Sequence, residues 1–441
     1  MARKPANLIY GVDDKPPFWV LFLLGLQHTF LMSSTLLLPV VLVSEIGGSF
    51  EQVRNVVALT MIACGIGTIL QAVRLRGFGS GFVCPNLCGP NFFIASVEAA
   101  WLGGLPLMRG MTIVAGVAEA FFSRFVNRLR FLFPAEITGL VVLMVAEGLV
   151  PIGVSKVLGI NYEGEPIRGM CVLTAAVSLL VMAGVTIWGK QLRLYSVLIG
   201  MVSGYLLSFF GGLLPPVQFR QVFSSPWMAL PLLDNQFEIT FSWSLVPTFV
   251  IVSITGALKS VGNLIMCEKV NDQEWKEPDM PRIANGLTAD SVCVAVSGLL
   301  GGVASDTSAS NVALSSASGA TSRVIGYMAG TLFILLGLFP KVSGLLSVMP
   351  PPVMGAILIF VTSFMITSGI QIIVGSGMDT RKTFVIGVAL IFGLSLDMLP
   401  SLFAGVPYFL RPLVDSSLTL TTVIAVVLNQ LFRLRSRTET T

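Results

Sequence analysis

Long apolar runs separated by short polar breaks follow one another along the whole chain. A membrane-spanning helix needs about 20 apolar residues. Runs of that scale predict segments near residues 18–43, 55–73, 85–101, 107–125, 136–153, 169–188, 194–213, 245–266, 284–302, 309–318, 323–340, 350–372, 381–398 and 413–432. The third and tenth are too broken or too short to be plain spanning helices: residues 79–89 are rich in Gly and Pro, and residues 307–318 are rich in Ser. Inside a bilayer, irregular polar backbone survives only where protein buries it or where it lines a cavity. The stretch 305–323, SDTSASNVALSSASGATSR, is therefore expected to form one wall of a binding site.

Composition fixes the class. The 441 residues are 54% hydrophobic and only 11% charged, with a mean hydropathy of +0.85; soluble domains carry roughly 25% charged residues. The expectation is an all-α integral membrane protein. Residues 1–17 are polar and the first apolar run is long enough to stay in the membrane, so no cleavable signal peptide is expected. The net charge of +4 gives no basis for nucleic-acid binding. Of the six cysteines, Cys84 and Cys88 have a spacing that could hold a metal, but no second pair or nearby His completes it. No metal and no cofactor is expected.

Charge asymmetry orients the chain. Basic residues cluster at Arg3/Lys4, Arg74/Arg76, Arg124/Arg128/Arg130, Lys190/Arg193, Lys269/Lys276/Arg282, Arg381/Lys382 and Arg433/Arg435/Arg437, all on one side of the predicted spans. The opposite loops carry Glu45, Glu51, Glu163, Glu165, Asp234 and Glu238. The positive-inside rule then places both termini in the cytoplasm, at the cytoplasmic (inner) membrane. A repeat is also visible. Pro134-x4-Gly139 recurs as Pro350-x4-Gly355, with Gly153 matching Gly369 at the same offset, and Arg109-x6-Gly116 recurs as Arg323-x6-Gly330. Duplicated halves with an odd number of spans each would be inverted, a common transporter plan.

Soluble-enzyme chemistry is missing. His28 is the single histidine, and no phosphate-binding loop is present, which argues against an enzyme and against an ATP-driven pump. Polar residues within spans are functional suspects. Gln27 and His28 lie mid-segment in the first span. Lys259 sits in the middle of the eighth, with Asn263 one turn later on the same face. Ser310 and Asn311 open the short tenth segment, where backbone N–H groups and the positive helix end favour an anion or a carbonyl. Asp290 and Asp306 flank this region; either is a candidate counter-ion of Lys259 or proton carrier. Glu98, Glu119 and Glu147 also fall within spans, in helix-end, packing or functional roles.

Several runs resemble one family. Tyr10-Gly-Val-Asp-Asp-Lys-Pro-Pro17 with Leu24-Gly-Leu-Gln-His28 resembles the N-terminal signature of the nucleobase–ascorbate transporters, a group of nucleobase–cation symporters that includes xanthine and uracil permeases. Gly65–Gln71, Asn285–Asp290, Gly298–Gly302 and Ser322-Arg323 with Gly319 and Gly326 resemble its later signatures. The resemblance implies fourteen segments in two inverted repeats of seven. It implies a core domain (residues 1–130 and 241–345, segments 1–4 and 8–11) that holds substrate between the broken segments 3 and 10. It implies a gate domain (residues 131–240 and 346–441, segments 5–7 and 12–14) that often mediates dimerisation. Alternating access, usually coupled to protons, follows from the same resemblance.

The departures from that family bear on substrate. Its eighth segment usually carries a Glu that bonds the base, with an acid or His four residues on; the aligned residues here are Lys259 and Asn263. Its tenth-segment motif reads Gln or Glu, Asn, a variable residue and Gly; here it is Ser310, Asn311, Val312 and Ala313. On the third segment the match falls around Gly89–Phe93, making Asn91, Phe92 and Phe93 candidate contacts. Exchanging Glu for Lys changes the local charge by two units, removing an acceptor and adding a donor. The expected substrate is thus an oxidised or anionic purine such as urate or xanthine, with Asp290, Asp306 or His28 as the proton-coupling candidates. An anion transporter or exchanger on the same fold, for carboxylates or inorganic anions, is the alternative. A membrane scaffold or receptor without transport is a third reading.

Overall fold

The computed structural model describes residues 5, 8–33, 35–75, 77–129, 134–160, 166–189, 192, 196–214, 216–232, 238–276, 278–375, 377–403, 406 and 417–438. Among the orienting charges, Arg3, Lys4, Arg76, Arg130, Glu163, Glu165, Lys190, Arg193 and Asp234 lie outside the described residues. The helices are α1 (Phe18–Ser33), α2 (Leu37–Glu45), α3 (Phe50–Ala72), α4 (Phe93–Leu129), α5 (Ala135–Leu158), α6 (Gly169–Trp188), α7 (Ser196–Phe210), α8 (Pro216–Ser224), α9 (Val246–Asn271), α10 (Met280–Leu300), α11 (Ala309–Ser318), α12 (Arg323–Gly337), α13 (Pro340–Ser347), α14 (Pro351–Gly375), α15 (Thr380–Met398) and α16 (Ser417–Thr438). Among the described residues, eight helical stretches are long and apolar enough to cross a membrane, or nine if the bent α12–α13 pair is one span.

The all-α expectation needs one amendment. Two three-residue strands, β1 (Asn86–Cys88) and β2 (Ser305–Thr307), pair antiparallel with Asn86 opposite Thr307, Leu87 opposite Asp306 and Cys88 opposite Ser305. All six residues are buried. Where helices are interrupted away from water, the freed backbone groups must find partners, and here the two extended stretches satisfy each other. The predicted first span is also broken, into α1 and α2, and the amphipathic α8 and the short α13 have no counterpart among the predicted segments.

Local chemistry sets the helix ends. Ser49 and Gln52 form a capping box at the start of α3. Asp279, Ser308 and Ser322 cap α10, α11 and α12 by accepting from backbone N–H groups of Arg282, Asn311 and Val324. Within α4 the helical path is interrupted at Gly103 and Gly104, the latter at φ +68°, just before Pro106, and this separates the third predicted segment from the fourth.

Three helix pairs dominate the packing: α5 with α14, α4 with α10, and α3 with α12. Glycines let their backbones touch. A Cβ on Gly65 of α3 would lie 2.6 Å from the carbonyl oxygen of Gly330 of α12, and one on Gly330 would lie 2.5 Å from that of Gly65. Gly139 and Gly369 bear the same reciprocal relation across α5 and α14, at 2.8 and 2.9 Å. Small residues that permit such approach are the usual glue of helices in lipid, where apolar burial no longer drives association. Gly65→Val is expected to destabilise by about 1–3 kcal/mol, because backbone rather than a movable side chain must give way. Gly387→Ala, where an added Cβ meets nothing within 4 Å, is expected to be neutral. Thermal unfolding of both variants in detergent checks the pair.

The main apolar cluster joins α2, α3, α4, α5, α9 and α14, through residues such as Leu38, Val56, Phe93, Val141, Phe249 and Ile357. Large apolar side chains also point outward, among them Leu180, Trp188, Phe210 and Ile391, as lipid-facing helices require.

Candidate functional site

The strand pair is the centre of the site. A 3₁₀ turn at Pro90–Phe92 and then α4 leave from the end of β1, and α11 leaves from the end of β2. Because the strands are antiparallel, the two helices depart in opposite directions and their N-termini approach the junction from opposite sides. Each N-terminus carries unsatisfied N–H groups and a partial positive charge. The ladder is extended by Gly89 N–H donating to the Ala304 carbonyl at 2.9 Å and Ser308 N–H donating to the Pro85 carbonyl at 3.0 Å.

Lys259 comes to this junction from α9. Its Nζ lies 2.9 Å from Oδ2 of Asp306, the central residue of β2. The same oxygen accepts from Asn91 Nδ2 at 2.8 Å. Asp306 is 1% exposed while Lys259 keeps 30%, so the pair has a buried acid and a cation that remains reachable. Oδ1 of Asp306 is buried without a hydrogen-bond partner among the described residues. Of the two acids that sequence left open as counter-ion of Lys259, Asp306 takes the position. Ala309 and Ser310, at the start of α11, are exposed beside buried Ser308 and Asn311.

Asp290 of α10 belongs to a second, fully buried network. Its carboxylate accepts from Asn86 Nδ2 on β1 and from Ser260 Oγ on α9. Ser260 also lies 2.7 Å from Thr307 Oγ1, and Asn263 Nδ2 donates to that same Oγ1 at 2.9 Å and to the Thr307 carbonyl at 3.1 Å. Lys259 and Asn263 thus both face the strand pair, as their spacing predicts, but Asn263 holds backbone in place rather than lining an opening. Glu119 of α4 is a further buried acid near Asp290.

A third network fixes α11 to α1. His28 Nδ1 is 2.8 Å from Asn311 Oδ1, and His28 Nε2 is 3.4 Å from Ser315 Oγ. Asn311 also donates through Nδ2 to Ser308 Oγ at 2.9 Å, and Ser308 Oγ lies 3.2 Å from Ser310 Oγ. Behind α11 the N-terminal signature closes the end: Thr321 N–H donates to the Tyr10 carbonyl at 2.8 Å, Arg323 N–H donates to the Val12 carbonyl at 3.0 Å, and the Arg323 guanidinium pairs with Asp13 at 2.9 Å.

The structure therefore gathers Lys259, Asn91 and Asp306 at one point, Asp290 and Asn263 beneath the strands, and His28, Ser310 and Asn311 along α11. Phe92 and Phe93 are fully buried, and a Cβ on Gly256 of α9 would lie 3.3 Å from the Phe92 ring, so both rings act as packing. Gln27 stands apart from these networks and lines a 350 Å³ apolar cleft between α1 and α7, with Leu23, Leu26, Phe30 and Leu198. Asn86, Ser260, Thr307 and Ser308 are additional members of the networks. Asn86 lies inside the broken third segment, and Thr307 and Ser308 lie inside the polar stretch 305–323, so polarity points to all three; Ser260 carries no signal without the strand register. All six cysteines are buried thiols. Among the described residues, no group of three or more His, Cys, Asp or Glu side chains is arranged to hold a metal ion.

A bundle of apolar helices built around two interrupted elements, with an ion pair at their junction, defines a multi-pass membrane transport protein. The chain belongs to the Permease family (Xan_ur_permease), whose model matches residues 20–402. It is 28% identical to the uric acid permease PucJ of Bacillus subtilis over 95% of this chain and 94% of that one. It is 25% identical to the xanthine permease XanP of Escherichia coli, covering 97% of this chain and 95% of that one. Among solved structures it resembles the transmembrane domain of a cyanobacterial bicarbonate transporter, BicA, with a TM-score of 0.58, 11% identity, and 95% and 99% of the two chains covered. At that identity the likeness is one of fold.

Proposed function

We propose that the protein is a secondary active transporter of nucleobases whose substrate is an oxidised or anionic purine, urate or xanthine. The observation that carries the substrate choice is Lys259: a partly exposed ammonium 2.9 Å from Asp306 and beside two helix N-termini, where the family usually has a Glu. Such a setting offers donors and positive potential to the carbonyl-rich edge of an oxidised purine. The names of the relatives, uric acid and xanthine permeases, support the same class.

The mechanism is alternating access between a core (residues 1–130 and 241–345) and a gate (residues 131–240 and 346–441), coupled to protons. Fourteen segments form two inverted repeats of seven. Support for the repeat comes from the glycine contacts. Gly139 and Gly355 occupy equivalent positions in the two halves, as do Gly153 and Gly369. Gly139 meets Gly369, and exchanging the halves turns that contact into Gly355 against Gly153, which also touch: a Cβ on Gly355 would lie 2.8 Å from the Gly153 carbonyl oxygen. The protein works in the inner membrane with both termini in the cytoplasm, as a homodimer through the gate.

Thermal stabilisation of the purified protein at two pH values tests the substrate class. Urate and xanthine are expected to raise the melting temperature, and neutral uracil is expected to do so weakly or not at all. Stabilisation by bicarbonate, sulfate or acetate, with none by any purine, would replace this reading with an inorganic- or carboxylate-anion transporter.

A further inference from the structure

Asp306 occupies the place that an anionic substrate needs. Its Oδ2 takes both the Lys259 ammonium and the Asn91 amide, the two donors that make the junction attractive to a purine oxygen. We propose that Asp306 is a resident anion which the purine displaces, and that Asp306 accepts one proton as it gives up Lys259, so that proton and anionic purine cross together with no net charge moved. This rests on the purine-transporter reading above.

The empty site holds Lys259⁺ and Asp306⁻ and is neutral. Adding a purine monoanion to that pair would leave a net negative charge in a water-poor interior, where an uncompensated charge is strongly disfavoured. The titratable groups facing Asp306 offer no second positive charge to offset it. They are Asp290 on α10, Glu119 on α4, Cys64 on α3 and Cys88 on β1, with Lys259 the one cation among them. A proton taken by Asp306 restores neutrality: the loaded site is Lys259⁺, purine⁻ and a neutral carboxylic acid. The proton comes from water on the side from which the purine enters and forms an O–H bond on the carboxyl. Oδ1, which lacks a partner among the described residues, is available for it. No covalent bond in the purine changes, and release on the far side returns the proton and restores the ion pair. Asp290 is less suited to this part, because both its oxygens are already engaged by Asn86 and Ser260.

The full-length protein reconstituted in liposomes tests the proposal with radiolabelled urate. At zero membrane potential, a pH one unit lower outside is expected to drive about tenfold accumulation, the value for one proton per urate. Clamping the potential with potassium and valinomycin at equal pH is expected to drive none. Asp306→Asn is expected to bind urate, to lose accumulation on the pH gradient, and to become responsive to potential, since the anion now crosses alone. Wild-type accumulation that follows potential as one negative charge would overturn the proposal, as would undiminished pH-driven accumulation by Asp306→Asn. The wild-type arm needs no variant and can overturn the proposed charge balance even if Asp306→Asn fails to fold. A wild-type protein that neither binds nor accumulates any purine would overturn the transporter reading itself, a result distinct from urate transport with the wrong charge.

Discussion

Lys259→Glu is expected to abolish binding of urate while leaving the protein folded. The variant sets a second carboxylate against Asp306 at the position where an ammonium now sits 2.9 Å away. Removing one partner of a close charge pair at a binding site costs about 2–5 kcal/mol, which corresponds to roughly 30- to 4,000-fold in affinity. The substitution also reverses the sign of the Lys259 charge at the junction, so repulsion of an anion adds to the lost donor. Lys259→Arg keeps the charge and is expected to retain binding within roughly tenfold, less than 1.4 kcal/mol, although its planar fork cannot copy an ammonium's geometry. Uracil, which is neutral and offers N–H donors, is expected to gain from the Glu. Equilibrium binding of labelled urate and uracil to the three proteins measures all of this.

The second large effect is structural. Asp290→Leu is expected to prevent stable folding. Its carboxylate is the acceptor for Asn86 on β1 and for Ser260 on α9, and all three residues are buried. Leucine would orphan two donors in the interior, each at about 1–3 kcal/mol, against a total stability of about 5–15 kcal/mol. Asp290→Asn is expected to fold: its amide oxygen can still accept from Asn86, and its NH₂ can donate to Ser260, whose own proton then goes to Thr307 Oγ1 at 2.7 Å. Expression yield and melting temperature in detergent separate the two variants. A normally folded Asp290→Leu protein would mean that the strand junction does not depend on this carboxylate.

Much of this architecture is written in local pattern. The apolar runs locate the long helices within a few residues because each must cover the same membrane thickness; the run predicted over 169–188 coincides with α6, and the short one over 309–318 with α11. Lys259 and Asn263 are found because a helix brings residues four apart to one face, and both do face the strands. Less is visible where contact depends on distant chain. The choice between Asp290 and Asp306 as partner of Lys259 turns on β2 pairing with β1, a register between stretches more than 200 residues apart. Three-residue strands leave no periodicity to read. The break between α1 and α2 falls at Ser33-Ser34-Thr35, a polar interruption too brief to divide a spanning-length apolar run, and α8 and α13 are too short for such a pattern to detect. Gln27 and His28 are chain neighbours, yet successive helical residues point about 100° apart: His28 turns to Asn311 and Gln27 turns to the α7 cleft.

The central claim is that the Lys259 ammonium, at the junction of two interrupted helices, is the group that meets the purine. A cryo-EM structure of the full chain with urate bound tests it most directly, read as the distance from Lys259 Nζ to the nearest ligand oxygen. The account predicts a hydrogen-bond distance of about 2.7–3.2 Å, with Asp306 moved out of contact with Lys259. Urate bound elsewhere, with the Lys259–Asp306 pair still at 2.9 Å, would contradict it.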